Sequence, residues 1–480
     1  MGLASLELGD IQGDVLIGLQ KNAECFVFFK IVNRGSFQRL VKQHVTWRIT
    51  SSWQANDQEQ RLSQGSNYQK SPAIVIGLNL GFTSDGLTHL LGSRRPRLDP
   101  SFERGADDPA ATQRLHDPPV SAWLKNFRSD RIDGVLLVTG PREGLVNYHR
   151  VELLRLLGGS IKVVYCETGT TRPGAFRGFE HFGYRDGISQ PGIRGLTRRS
   201  TSNPDQGLPG QDLIWPGEFV FGYPSQGPSD AVMPGPPPHM AAPWLRNGSY
   251  MVFRRLEQKV PEFRRFVADR AARLGMEPEL LGARLFGRWK SGAPLELAPL
   301  HDNAALGSDA MRNNDFDYGD DPFQRRCPYA AHIRKAYPRD DAPGGEAEAQ
   351  RHRIRRAGIT FGPEVASGET TTSHSRGLMF VCYQTSIERQ FEYIQRSHAN
   401  DPGFVSGKVR PGSGTPVTPG FDPIIGQAAD EGVREMDEPY PNYPAGNRRT
   451  TLEIPRQFVV LTAAGYFFMP SISALRTVLT

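Results

Sequence analysis

Apolar positions along the 480-residue chain recur at two periods. They fall every second residue in short runs and every third or fourth in longer ones, so strands and helices alternate. Cys25–Val32 (CFVFFKIV) predicts a strand, followed by a short helix around Phe37–His44. Ala73–Leu80 is a second strand, bounded by Pro72 and Gly81, and Val135–Val138 a third, between Gly134 and Gly140. A helix from about Arg142 places Val146, Leu153 and Leu157 on one face, and Gly158-Gly159 ends it. Ile161–Cys166 closes this half as a fourth strand. The order is that of a ferredoxin-like unit.

A second half repeats the theme. Tyr250–Arg254 predicts a strand, and a helix from about Pro261 carries Phe263, Val267, Ala271 and Leu274 at helical spacing. Leu378–Gln384 is strand-like, Ser386 is an N-cap for a helix with Ile387, Phe391 and Ile394 on one face, and Phe458–Phe468 is the last strand. The fold class expected is α+β: two ferredoxin-like units, each an antiparallel sheet with helices on one face. The turn-rich stretch 196–212 divides them, giving domains 1–205 and 206–480. Two long loops, 223–243 and 399–450, are rich in Pro and Gly, and the second reads as a surface insertion.

Charge narrows the function classes. Lys and Arg total 57 against 51 Asp and Glu, a net +6, without a block of like charge that would mark a nucleic-acid stripe. The four cysteines, Cys25, Cys166, Cys327 and Cys382, lie far apart and form no CxxC pair, so neither a zinc site nor a disulfide framework is expected. The longest nearly apolar run, Phe458–Met469, is 12 residues, short of the ~20 a membrane helix needs. With no export signal, twin arginine or membrane span visible, a cytoplasmic protein is expected.

Three segments carry candidate chemistry. His181–Gly192 (HFGYRDGISQPG) holds Asp186 in a turn-rich stretch, where Asp-Gly is also a common turn. Arg325–Arg339 (RRCPYAAHIRKAYPR) holds His332 among small and apolar residues. Residue types alone favour a satisfied core histidine there, while leaving a pocket-facing ligand open. In Arg351–Val365 the alternating Arg351, Arg353 and Arg355 read as a solvent face; Arg356 breaks the alternation and enters an apolar run, where a guanidinium wants an anionic partner.

Together these segments resemble the dye-decolorizing peroxidase family, in its larger bacterial or fungal-like subgroup. Gly183-Tyr184-Arg185-Asp186-Gly187 matches the family's GxxDG signature, CPYAAHIRKAYPR its proximal-histidine segment, and RRAGITFG its distal-arginine segment. GRWKSGAP (Gly287–Pro294), GLMFVCYQ (Gly377–Gln384) and DIQGDVLIGLQK near the N-terminus are also similar, so the resemblance runs from about residue 9 to about 470. It implies a pair of ferredoxin-like units in the dimeric α+β barrel superfamily, with haem held mainly by the second. It implies one haem b per chain, His332 as the iron ligand, Asp186 and Arg356 as the catalytic pair, and Leu378 and Phe380 lining the distal pocket beside them. Arg355 is the neighbour that competes with Arg356 for the distal role. The carboxylate partner of the proximal histidine is not placed; Gln457 or a neighbour stands where it would be sought. The activity implied is oxidation of bulky organic reductants, dyes and phenolics, by hydrogen peroxide, with no nucleic acid or membrane partner. The alternative is a non-catalytic haem-binding or haem-transfer protein on the same scaffold, which would need His332 but neither Asp186 nor Arg356.

Overall fold

A computed structural model describes residues 5–19, 21–63, 76–129, 131–228, 232–429, 432–438 and 451–480. The first half contributes β1 (Ala23–Ile31), β2 (Gly77–Phe82), β3 (Gly134–Gly140) and β4 (Ile161–Thr170). Two short strands, β5 (Gly192–Ile193) and β6 (Leu213–Ile214), pair in the connection. The second half contributes β7 (Ser249–Gln258), β8 (Arg355–Arg356), β9 (Ile359–Phe361), β10 (Gly377–Gln384) and β13 (Val459–Met469), with a separate ladder of β11 (Arg434–Asp437) and β12 (Thr451–Ile454).

The main sheet runs β4-β1-β3-β2-β13-β7-β10-β8, with β9 also on β10. Each half therefore carries the same order, fourth-first-third-second, which is the ferredoxin-like arrangement expected from sequence. The halves join into one sheet through the pair Phe82↔Phe468 between β2 and β13. The sheet also closes on itself. Phe28 of β1 meets Phe253 of β7 at 4.9 Å and Phe467 of β13 at 5.9 Å, strands that are not its neighbours, so these rings lie inside a barrel. Burial of each such ring is worth about 1.5–3 kcal/mol, which explains why β1 is apolar nearly throughout rather than alternating. Its other face is covered too: Phe29 packs on Phe37 of the helix Arg34–Leu40 at 5.6 Å.

The seam lies between β4 and β9. Thr360 Oγ1 donates to the carbonyl of Thr170 at 2.6 Å. Gly169 makes the approach possible, because a Cβ there would stand 2.5 Å from Met379 Cε, 2.6 Å from Ile359 Cγ2 and 2.7 Å from the Thr360 carbonyl oxygen.

Most predicted elements stand where expected, with longer bounds. The helix Glu143–Leu157 buries Val146, Leu153 and Leu157 and ends at Gly158; the helix Val260–Leu274 buries Phe263, Val267 and Ala271. The strand expected at Ala73–Leu80 is β2, displaced toward its C-terminal end, residues 73–75 lying outside the described ones. After Ser386, which accepts from the N–H of Arg389, the chain forms wide π-type turns at Ile387–Phe391 and Ile394–Ala399. Two expectations are corrected. The arginines at 351–355 do not form one solvent face: Arg351 is part-exposed and pairs with Glu348 at 2.8 Å, but Arg353 is buried and lies 3.7 Å from the Tyr337 ring centroid, and Arg355 donates to the carbonyls of Leu16 (3.2 Å) and Ile17 (2.6 Å). The described part of segment 399–450 is not a plain surface insertion, since Phe404 and Val405 pack on Tyr329 and Asp422 is fully buried; residues 430–431 and 439–450 lie outside the described ones.

A side chain at the seam should open the barrel. Gly169→Val is expected to destabilise the fold by the ~1–3 kcal/mol typical of overpacking, read as a lower thermal midpoint. An unchanged midpoint would show that β4 and β9 are not tightly apposed.

Candidate active site

Along β10 the exposure alternates: Met379 and Val381 are fully buried toward the barrel, whereas Leu378 and Phe380 are only partly buried on the other face. Strand register sets Leu256 and then Leu461 beside Leu378, and Arg254 beside Phe380. These residues line a cavity of about 260 Å³ that also receives Asp186, His332 and Arg356. The structure thus brings together every site residue expected from sequence.

Asp186 is delivered by a tightly specified turn. Gly183 and Gly187 take φ of 102° and 83°, a region where a Cβ is strained. The buried Glu180 accepts the N–H groups of Phe182 (2.9 Å) and Tyr184 (2.8 Å) and is itself held by the Gln258 amide of β7. Arg356 Nη1 donates to Asp186 Oδ1 at 2.6 Å, as does the Gly187 N–H, also at 2.6 Å. Burial pushes the Asp186 pKa up, but Arg356, the Gly187 N–H and nearby His332 outweigh it, and the net shift is below the ordinary carboxylate value. Asp186 Oδ2 has no hydrogen-bond partner among the described residues. Gln190, from the same motif, clamps the backbone of Arg356, donating to its carbonyl (2.8 Å) and accepting from its N–H (3.3 Å). Among the described residues Arg356, not Arg355, pairs with Asp186; Arg355 turns to the Leu16–Ile17 backbone.

His332 opens the short helix His332–Ala336. Its Nδ1 lies 2.8 Å from Asp422 Oδ2. An ionised carboxylate only accepts, so Nδ1 carries the proton and, in the neutral ring, Nε2 is left as a free donor of electrons to a metal. Burial opposes charging the ring, but Asp422 outweighs it and the pKa is raised. Asp422 Oδ1 accepts the N–H groups of Ile424 (2.8 Å) and Ile425 (3.0 Å). The fully buried Arg434 organises that loop by donating to the carbonyls of Gly426 and Arg456, both at 2.7 Å. Asp422 is therefore the carboxylate that sequence reading could not place. Gln457 is not involved; its amide donates to Gln427 at 3.4 Å.

The cavity suits a flat apolar group with acidic edges. Two buried arginines on its wall, Arg288 and Arg353, have no carboxylate within ion-pair distance among the described residues, and Arg353 Nε lacks any partner. Burying such cations unpaired is costly, and the propionates of a haem would complete them.

Known proteins carry the same architecture. A family model described as DyP dimeric alpha+beta barrel domain matches residues 10–173, and one described as Dyp-type peroxidase, C-terminal, matches residues 232–404. The dye-decolorizing peroxidase msp1 of Mycetinis scorodonius is 37% identical, covering 99% of this chain and 88% of its own.

The chain belongs to the dye-decolorizing peroxidase family.

The dye-decolorizing peroxidase AauDyP1 of Auricularia auricula-judae is 35% identical over 98% of this chain and 86% of its own. A solved dye-decolorizing peroxidase complexed with 2,6-dimethoxyphenol superposes with a TM-score of 0.81 at 36% identity, covering 99% of both chains. Like its relatives, this dye-decolorizing peroxidase is an oxidoreductase acting on peroxide, of a haem-dependent family. None of its described helices is long and apolar enough to cross a membrane.

His332→Ala should abolish stable haem retention. Asp422→Ala should weaken it by the 10- to 100-fold typical of losing a metal ligand's carboxylate partner. Both are read by haem titration of the apoprotein, and parental affinity in either variant would contradict the assignment.

Proposed function

We propose that the chain binds one haem b through His332, with Arg288 and Arg353 meeting its propionates, and that Asp186 and Arg356 act on hydrogen peroxide while dyes and phenolics serve as reductants. The observation that carries this reading is the Asp186–Arg356 pair, held at 2.6 Å in the cavity that His332 shares. A protein that only carried haem would need His332 and its carboxylate. It would have no use for a charged pair facing the apolar row of Leu256, Leu378, Phe380 and Leu461 on the cavity floor.

When bound, haem supplies the two-electron reduction of peroxide and passes the oxidising equivalents to the organic reductant. The chain's own groups manage the protons. Peroxide arrives neutral and must lose a proton from one oxygen and gain it at the other, which then leaves as water. Asp186 Oδ2, free of other partners, accepts that proton and returns it. Arg356 stabilises the negative charge that grows as the O–O bond lengthens, without itself deprotonating. Leu378 and Phe380 narrow the space above β10, which excludes bulky reductants and leaves their oxidation to the cavity mouth or beyond.

The deciding experiment is an absorption spectrum of the haem-loaded protein before and after one equivalent of peroxide, followed by a phenolic reductant. Reversible spectral change with product formation supports the reading; bleaching alone favours haem binding without turnover. Asp186→Asn should keep the haem spectrum and lose ~10²–10⁴-fold in peroxide turnover, the usual scale of a general base. Parental turnover in this variant would remove Asp186 from the mechanism.

The pH profile follows from the sign of the Asp186 shift. A lowered pKa keeps the carboxylate ionised into acid, so the acidic limb of turnover lies below the ordinary carboxylate range. Arg356→Ala removes the main lowering influence and leaves burial to raise the pKa. The acidic limb should then move to higher pH, alongside a lower maximal rate. A limb that stays in place would show that another group sets it.

A further inference from the structure

Away from the haem cavity, β1 and β4 bring two thiols into contact. Cys25 Sγ and Cys166 Sγ are 3.0 Å apart, although both cysteines are free. In the antiparallel register Cys25 faces Thr168 and Val27 faces Cys166, so the pair is diagonal on one face of the sheet. A β-bulge follows at Phe28/Phe29, and the added local twist draws one diagonal together. Neither residue lines the haem cavity. Cys25 is fully buried, while Cys166 is half-buried at the edge of the helix Glu143–Leu157, where Arg150 approaches it.

We propose that Cys25 and Cys166 are a peroxide-reactive dithiol that closes to a reversible disulfide tying β1 to β4. The two thiols are electrostatically unequal. The hydrogen bond from Cys25, helped by Arg150 and opposed by burial, lowers Cys166 to about 7, and the same bond with burial pushes Cys25 up. Cys166 is thus the thiolate and the accessible partner, the two properties a peroxide-reactive sulfur needs. Its sulfur attacks one oxygen of hydrogen peroxide: an S–O bond forms, the O–O bond breaks, and the departing hydroxide takes the proton that Cys166 had released, giving water. Cys25 sulfur then attacks Cys166 sulfur; the S–S bond forms, the S–O bond breaks, and the oxygen leaves as a second water with the proton of Cys25. Two thiols are oxidised by two electrons and one peroxide is reduced to two waters. The sulfurs need to close by roughly 1 Å. Cys327 and Cys382, both fully buried with raised pKa values, are built-in references for inert thiols.

The test treats the haem-loaded protein with hydrogen peroxide at neutral pH, alkylates remaining thiols and maps peptides by mass spectrometry. A Cys25–Cys166 linked peptide that disappears on reduction, with Cys327 and Cys382 still thiols, is the expected result. Cys25→Ser should give no bridge and a Cys166 sulfenic acid trapped by dimedone; Cys166→Ser should give neither. Asp186→Asn should bridge as the parent does, because the thiolate reacts with peroxide directly. Free thiols at both positions after excess peroxide, equal oxidation of all four cysteines, or loss of bridging in Asp186→Asn would each overturn the proposal.

Discussion

Because side chains alternate along a strand, β10 cannot send Met379 and Val381 into the barrel without presenting Leu378 and Phe380 to the other face. The same holds for Leu256 of β7 and Leu461 of β13, which the register sets in one row with Leu378. What happens to that outer face decides where a site can exist. In the first half it is covered by the helix Glu143–Leu157 through Val146, Leu153 and Leu157. In the second half the helix after the first strand, Val260–Leu274, joins an apolar cluster separate from the barrel core, with Phe263 4.3 Å from Phe182 and 5.5 Å from Phe458. The turns after the third strand, Ile387–Phe391 and Ile394–Ala399, border the cavity through Phe391, Ile394 and His398. Two units of the same topology thus differ in how their helices pack, and the second leaves part of its sheet face free to floor a cavity.

The charged groups help to mark the site. Deep in the fold several arginines are matched with carboxylates, Arg284 with Glu438, Arg334 with Asp341 and Arg376 with Glu369, all three guanidiniums fully buried, while the buried Arg434 gives its donors to backbone carbonyls. Breaking such a pair typically costs ~3–5 kcal/mol, so their completeness is a condition of folding. Arg288 and Arg353 are buried with no carboxylate within ion-pair distance among the described residues, and both face the cavity. An uncompensated buried cation is tolerable where a ligand will supply the anion, which ties the electrostatics of the fold to its cofactor.

The sequence made some of this visible and hid the rest for identifiable reasons. The long strands and the helices with a three-to-four-residue period were readable because burial on a regular element leaves a regular trace. Asp186 was readable because its turn needs glycine at 183 and 187, which leaves a signature. His332 was ambiguous by residue type, and only the family resemblance singled it out. Asp422 left no trace at all: it lies 90 residues from His332 in a segment rich in Pro and Gly, and its role depends on a loop shaped by Arg434 from further along the chain. The alternating arginines run from the end of a helix at Arg351 into β8 at Arg355, a strand of two residues, too short for periodicity, so they looked like a solvent face. The real destinations of Arg353 and Arg355, Tyr337 and the Leu16–Ile17 backbone, are tertiary contacts. Gln190 sat in full view within the motif, yet its grip on the Arg356 backbone is meaningful only once the two segments are adjacent.

Two aspartates, one lining the cavity and one buried behind His332, show how environment separates roles that residue type cannot. Both have lowered pKa values, and both are pulled down by a neighbouring cationic or proton-donating group against the cost of burial. The difference is in what remains available. Asp422 is wholly inaccessible, with Oδ2 on His332 and Oδ1 on two backbone N–H groups, so it can orient the imidazole and make it a better ligand but has no free oxygen. Asp186 gathers both of its hydrogen bonds on Oδ1, keeps 40% of its side chain accessible through the cavity, and leaves Oδ2 open. Arg356 holds that carboxylate ionised and also makes it a weaker base, which suits a proton held briefly and handed on. In the proposed mechanism, the partner that fixes the charge state of the base is thus also the one placed to stabilise the anion formed when the base acts.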